Sequence, residues 1–358
     1  MAVSLLAEAI DATLWIDTHE HLVEERRRLG PEPYVFTDVW DDRVCIAGDW
    51  TALLGHYAID DLVSAGLPPA QAHDFVWGDG EPLAKWDAVE RSLAAARNTG
   101  FLRAVDITTE RLFGLRLERG TCEAIDVACR ALRAQGWYAR VLAEAGVERC
   151  QVNSLEDDPF CETEQPELLE QDIALYPLVA GAAPASEHAS GIEVADLDDY
   201  LDVIEWCFER FAHRAVAVKL AWAYFRSLAV SAPDDPPDRA FARLRRGAAD
   251  ADDRRRVEDF LAERCVDLAT EHALPFKLHL GHLAGTGRPE LRWVPSHVAD
   301  VIPLVQAHPH TTFVLMHAAW PQQEQLLSVA KHLPNAVVDL CWAWSLAPAR
   351  RPTSCSAS

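Results

Sequence analysis

The stretch LWIDTHEHL, Leu14–Leu22, closes an apolar run with two histidines one residue apart. Residues i and i+2 of a strand face the same way, so His19 and His21 can aim both imidazoles at one point. A divalent cation needs that convergence. His-x-His also arises by chance, so it counts only in a fitting structural context. Three later runs supply one: PFKLHLGH at Pro275–His282, TFVLMHAAWP at Thr312–Pro321 and AVVDLCW at Ala336–Trp342. Each reads as a buried strand whose last residues turn polar or ionisable. In a parallel α/β barrel the carboxyl ends of the strands converge on one mouth, which makes strand-end histidines neighbours.

From about residue 172 the chain alternates apolar strands with amphipathic helices. Leu175 to Ala180 reads as a strand, Val194 to Arg210 as a helix and Arg214 to Leu220 as the next strand. A Pro- and charge-rich stretch from Ser231 to Arg256 precedes a helix from Val257 to His272, stopped by Pro275 just before the strand that ends at His279. The unit repeats through His317 and Asp339. Gly146 to Val152 adds a strand, so with Leu14 to His19 the count is seven. Alternation of this kind predicts parallel βαβ units, and histidines at strand ends favour a TIM-like barrel over a doubly wound sheet. The region from about 24 to 140 breaks the rhythm and predicts a mostly helical insertion after the first strand. Within it, Trp86 to Asn98 has helical periodicity, while Phe101 to Ile107 fits helix or short strand.

A chain of 358 residues, about half of them apolar, is long enough for one large barrel domain. Fifty-six acidic against 33 basic residues give a formal charge of −23, which repels phosphate backbones and anionic bilayers and excludes nucleic acid and membrane surfaces as expected partners. The most apolar stretch, Val216 to Phe225, carries Lys219 and is flanked by His213, Arg214 and Arg226. The amino terminus lacks a basic region and meets an acidic residue early, so the expected location is cytoplasmic. Nine cysteines without paired short spacings fit neither a disulfide framework nor a zinc ribbon. Cys341, two residues beyond Asp339, lies near the proposed mouth.

The D-T-H-E-H of Asp17–His21, the H-L-G-H of His279–His282, the L-M-H-A-A-W-P of Leu315–Pro321 and the V-V-D-L of Val337–Leu340 together resemble the amidohydrolase superfamily. The similar branch includes aminocarboxymuconate-semialdehyde decarboxylase-like and uronate isomerase-like proteins. The resemblance implies a (β/α) barrel of the metal-dependent hydrolase type, with a divalent metal bound by His19, His21 and His279. Imidazole ligands suit zinc, the default, and also manganese, iron or nickel. His317 matches the family's histidine that polarises substrate or shuttles a proton beside the metal-bound water. Lys219 stands where some superfamily members carry a carbamylated lysine; a lysine reaching the rim or pairing with an acid is the preferred reading. His282 and Asp339 are further candidates to line the pocket, whereas His297, His308, His310 and His332 read as solvated. Uronate isomerase-like relatives carry an insertion comparable to residues 24–140, with phrases similar to HYAIDDLVSAG at His56–Gly66 and RNTG at Arg97–Gly100.

The departure comes at the carboxyl end. The family continues past V-V-D-L to an eighth strand ending in an aspartate, a metal ligand, whereas here a Pro- and Ser-rich tail follows. The expected organisation is a barrel domain over 1–345, incomplete at seven strands, and an irregular tail over 346–358. Open first and seventh strand edges favour self-association into a homo-oligomer. The change in composition near Ser345 favours a truncated or frameshifted product with reduced activity. Completion by another chain and an open sheet without catalysis are the alternatives. The first reading of function is metal-dependent hydrolysis of a C–N or C–O bond in a small molecule, or decarboxylation of a small acid. The alternatives are uronate isomerase-like aldose–ketose isomerisation and a noncatalytic metal- or ligand-binding remnant.

Overall fold

The structure is a computed structural model that describes residues 5, 8–10, 12–29, 35–36, 44–45, 48–55, 57–154, 158–231 and 235–346. The predicted tail lies outside these residues beyond Leu346, as does His56.

Seven strands form one sheet in chain order, all neighbours parallel: β1 Trp15–Glu20, β2 Val147–Val152, β3 Leu169–Ala174, β4 Ala215–Leu220, β5 Phe276–Leu278, β6 Phe313–Leu315 and β7 Ala336–Val338. The result is a curled, incomplete barrel, as the sequence predicted. Among the described residues no eighth strand joins β7 to β1. A side-chain hydrogen bond from Thr18 Oγ1 to Asp339 Oδ2 links the two edges near their carboxyl ends. Apolar side chains remain exposed along both edges, notably Trp15, Ile16 and Val337.

Helices Leu197–Phe211, Ala251–Glu271, His297–Ala307 and Gln323–Ala330 cross between successive strands. The first two open on capping boxes, Asp196 with Asp199 and Asp250 with Asp253, which satisfy backbone donors at each helix start. Their apolar faces, with Ile204, Phe208, Val257 and Leu261, bury against Phe276 and Phe313 of the sheet.

Two boundaries differ from the sequence reading. The third strand is Leu169–Ala174, and the predicted strand at Leu175 begins a short helix, Tyr176–Val179, with Pro177 in its first turn. Inside β3 the polar Gln171 and Asp172 are buried, which hides it from a search for apolar runs. The charge-rich stretch after Ser231 contains the helix Asp238–Arg245 and the first turns of Ala251–Glu271. Of the two alternatives left open for Phe101 to Ile107, the structure has the helix, Gly100–Phe113.

The insertion is helical, as predicted, running from Ala58–Ser64 to Trp137–Ala145, with a short antiparallel ribbon of Val35–Phe36 and Val44–Cys45. Its helices enclose a core of their own around Trp50, Leu54, Leu62, Phe75 and Trp86. It meets the barrel mouth through Tyr57, whose ring lies 4.9 Å from that of Trp342 edge-on, and through Asp60, which accepts the Gly285 N–H at 2.6 Å.

Candidate functional site

The carboxyl ends of β1, β5, β6 and β7 bring His19, His21, His279, His317 and Asp339 to one mouth. The imidazoles form a chain of ring contacts: His19 to His21 at 4.5 Å, His19 to His317 at 5.5 Å and His317 to His279 at 4.4 Å between centroids. His19, His279 and His317 are buried and their pKa values lie well below the usual histidine range, chiefly because burial disfavours the charged ring. They are therefore neutral, the form that can coordinate a metal.

The hydrogen-bond network assigns the tautomers of two of these rings. His279 Nε2 donates to the His282 carbonyl oxygen at 2.8 Å, which leaves Nδ1 as an acceptor for His317 Nε2–H at 3.1 Å. The remaining lone pair of His317, on Nδ1, is buried without a partner. Asp339 repeats the arrangement: Oδ2 accepts from Thr18, and Oδ1 is buried without a partner.

Lys219 lies beneath His19, its Nζ 2.9 Å from Nε2 and 3.1 Å from Nδ1. It is buried rather than carried to the rim, because β4 turns its side chain into the barrel. Burial pushes its pKa down to about 7. A second buried lysine, Lys277, pairs with Asp172 at 2.9 Å and donates to the Thr18 carbonyl oxygen at 2.9 Å. These lysines fill the barrel below the mouth.

The structure thus gathers His19, His21 and His279, but Lys219 Nζ stands within 3.1 Å of both ring nitrogens of His19, His317 takes the acceptor nitrogen of His279, and His21 Nδ1 donates to the Asn153 carbonyl oxygen at 3.1 Å. Among the described residues, the donor atoms that converge to within 4.8 Å of one another are those of His317, Asp339 and Cys341. Buried, unpartnered nitrogen and oxygen lone pairs in a neutral imidazole environment fit a divalent cation.

A cavity of about 1170 Å³ opens along the gap between β1 and β7 and is lined by Asp17, His19, Glu20, His21, Lys277 and Asp339 among others. Glu20 was not singled out by the sequence. Burial and the adjacent Asp17 raise its pKa to about 8, so at neutral pH it holds a proton that it shares with Asp17 by hydrogen bond. His282 lines a second cavity of about 410 Å³ between insertion and barrel, with Asp60, Phe101 and Trp320.

His317 and the two alanines after it take positive φ values of 59°, 48° and 48°. Left-handed backbone at three consecutive non-glycine residues is strained and is held by surrounding packing. The Ala318 N–H donates to the Asp339 carbonyl oxygen at 2.7 Å, tying this turn to the end of β7.

One expectation is corrected. His297 is fully buried, its Nδ1 accepting the Gly281 N–H at 3.0 Å, because its helix packs against the loop after β5. Arg226, at the flank of the apolar stretch, is buried over the Trp222 ring and paired with Glu258 and Asp259.

No helix of the described residues is long and apolar enough to cross a membrane. No curated protein matches this chain by sequence. Among solved structures, a uronate isomerase from Thermotoga maritima is similar, with 14% identity and a TM-score of 0.67 over 94% of this chain and 77% of its own. A glucuronate isomerase from Caulobacter crescentus aligns at 15% identity and a TM-score of 0.63, covering 91% of this chain and 73% of that one. A protein described as a metal-dependent hydrolase from Lactobacillus casei aligns at 13% identity and 0.55, covering 96% and 77%. These likenesses establish the shared fold. The family model described as amidohydrolase matches residues 162–356, more than half of the sequence and the part that carries His279, His317 and Asp339, and the chain belongs to that family.

Proposed function

We propose that this protein is a metal-dependent enzyme acting on a small polar molecule, and that its reaction is the aldose–ketose isomerisation of a sugar acid. The observation that carries this reading is the capped barrel. The similarity to the Thermotoga uronate isomerase runs over 94% of the chain and so takes in the helical insertion as well as the sheet. An insertion that presses Tyr57 and Asp60 onto the mouth narrows access to the imidazole cluster, as loops on a rigid barrel do when they set specificity.

Amidohydrolase-superfamily proteins generally bind divalent metals. His19, His21 and His279 are the ligands that resemblance implies, with zinc the default ion. A bound cation supplies Lewis-acid polarisation of substrate oxygens. The chain's own groups handle the proton. Glu20 carries one at neutral pH and Asp17 is its partner, and both face the cavity, so one carboxyl can donate while the other accepts. His317 is the imidazole that resemblance places in the acid–base role.

Hydrolysis of a C–N or C–O bond is the second reading, favoured by the family description and the Lactobacillus likeness. The two separate cleanly in an assay of metal-replete protein in deuterated water. Isomerisation of a uronate gives a keto acid that carries deuterium at C1, the former aldehyde carbon that receives the proton after C2 has lost its own, without net consumption of water. Turnover of amides or esters with no turnover of uronates overturns the isomerase reading and leaves the hydrolase.

A further inference from the structure

Asp339 and Cys341 stand at i and i+2 at the end of β7, the same spacing that His19 and His21 have at the end of β1. Asp339 Oδ1 and His317 Nδ1 are buried without partners, and His317 is fully inaccessible. His317 and Asp339, together with Cys341 Sγ, each bring one donor atom to within 4.8 Å of the others. The tautomer chain explains why the imidazole lone pair points free: His279 spends its own N–H on His282 and receives that of His317. Thr18 explains why only one carboxylate oxygen of Asp339 is left over.

A buried lone pair with no partner is costly, and two of them beside a thiol have one common remedy, a soft or borderline divalent cation. The geometry points to a sulfur-containing cation site at His317, Asp339 and Cys341, formed by nitrogen, carboxylate oxygen and thiolate and suited to zinc or cobalt. Binding would replace the Cys341 S–H bond by a sulfur–metal bond and release the proton to solvent. With the ion in place His317 is a ligand, and proton handling falls to the Asp17–Glu20 pair. This assignment deepens the metal-dependent reading and rests on it.

Cobalt titration of the full chain tests it, since thiolate coordination gives a sulfur-to-cobalt charge-transfer band in the near ultraviolet that imidazole and carboxylate ligands do not. The band is expected in the native protein, retained in His19→Ala/His21→Ala, and lost in Cys341→Ser together with at least a tenfold weakening of cobalt binding. Should Cys341→Ser fail to fold, the zinc-edge absorption spectrum of the native protein replaces it, with a sulfur neighbour at about 2.3 Å expected. Bound metal with no sulfur signature overturns the site and leaves the metal-dependent reading intact. A folded protein that takes up neither zinc nor cobalt overturns both.

Discussion

Trp342 lies flat on the imidazole of His317, with ring centroids 4.4 Å apart and planes 18° from parallel. The same indole meets His279 and His282 edge-on, at 5.5 Å and 5.3 Å, and is itself covered by Tyr57 of the insertion. One residue after Cys341 therefore roofs the imidazole cluster and covers the face of His317. Truncation to alanine removes a large buried ring as well as this cover. Trp342→Ala is expected to lower stability by about 3 kcal/mol in urea unfolding, and Trp342→Phe by less than half of that. A loss below about 1 kcal/mol for the alanine variant would show that the roof is not supported by packing.

The Lys277–Asp172 pair sits fully inside the barrel, and burial raises the pKa of Asp172 against the pull of Lys277. Desolvation thus exceeds what the partner returns. Asp172→Asn leaves the ammonium buried and uncompensated and should cost about 3–5 kcal/mol, whereas replacing both residues by leucine and methionine should recover most of that loss. Equal stability of the single and double variants in denaturant titration counts against the pair as a coupled unit.

Gly281, inside the H-L-G-H phrase, has φ +77°, and a Cβ there would lie 2.5 Å from the Ala319 carbonyl carbon and 2.7 Å from the Trp320 nitrogen. The loop after β5 can approach the strained turn after β6 only without a side chain. Gly287 has φ +71° with nothing within 4 Å, so it isolates the backbone penalty. Gly287→Ala should cost about 1 kcal/mol, and Gly281→Ala at least twice as much, with cobalt binding weakened as the His317 turn moves. Indistinguishable melting temperatures for the two variants would remove close approach as the reason for glycine at 281.

Much of this site was legible in the chain because barrels convert sequence order into proximity. Strand-end histidines at 19, 21, 279 and 317 could be named without a structure, since an apolar run that ends in a histidine has one place to put it. Strand β3 escapes a search for apolar runs because its buried residues Gln171 and Asp172 are polar, and Asp172 makes sense only once Lys277 is seen opposite it. The burial of Lys219 and Arg226 is not legible locally for the same reason: burial of a cation depends on partners distant in sequence. Cys341 was noted only for its position, and its convergence with His317 depends on the left-handed turn at 317–319, which no local pattern announces. Glu20 carries no local signal of its role, because its raised pKa comes from burial at the folded mouth and from Asp17.

His297 gives the pH dependence that can be assigned to a single residue. It is buried, and burial lowers its pKa to about 4, against about 6.5 in an unfolded chain. Between those values the unfolded state binds the proton and the folded state does not, so this residue's stabilising contribution is fully present above pH 6.5 and is lost as pH falls toward 4. The slope attributable to it is at most one proton, about 1.4 kcal/mol per pH unit. His297→Asn places an amide oxygen where Nδ1 accepts the Gly281 N–H and has no proton to gain. Its unfolding free energy, measured from pH 7 to pH 4.5, should fall less steeply than that of the native protein by about that amount. Parallel curves for the two proteins would mean that His297 is protonated in the fold and that Gly281 takes its hydrogen bond elsewhere.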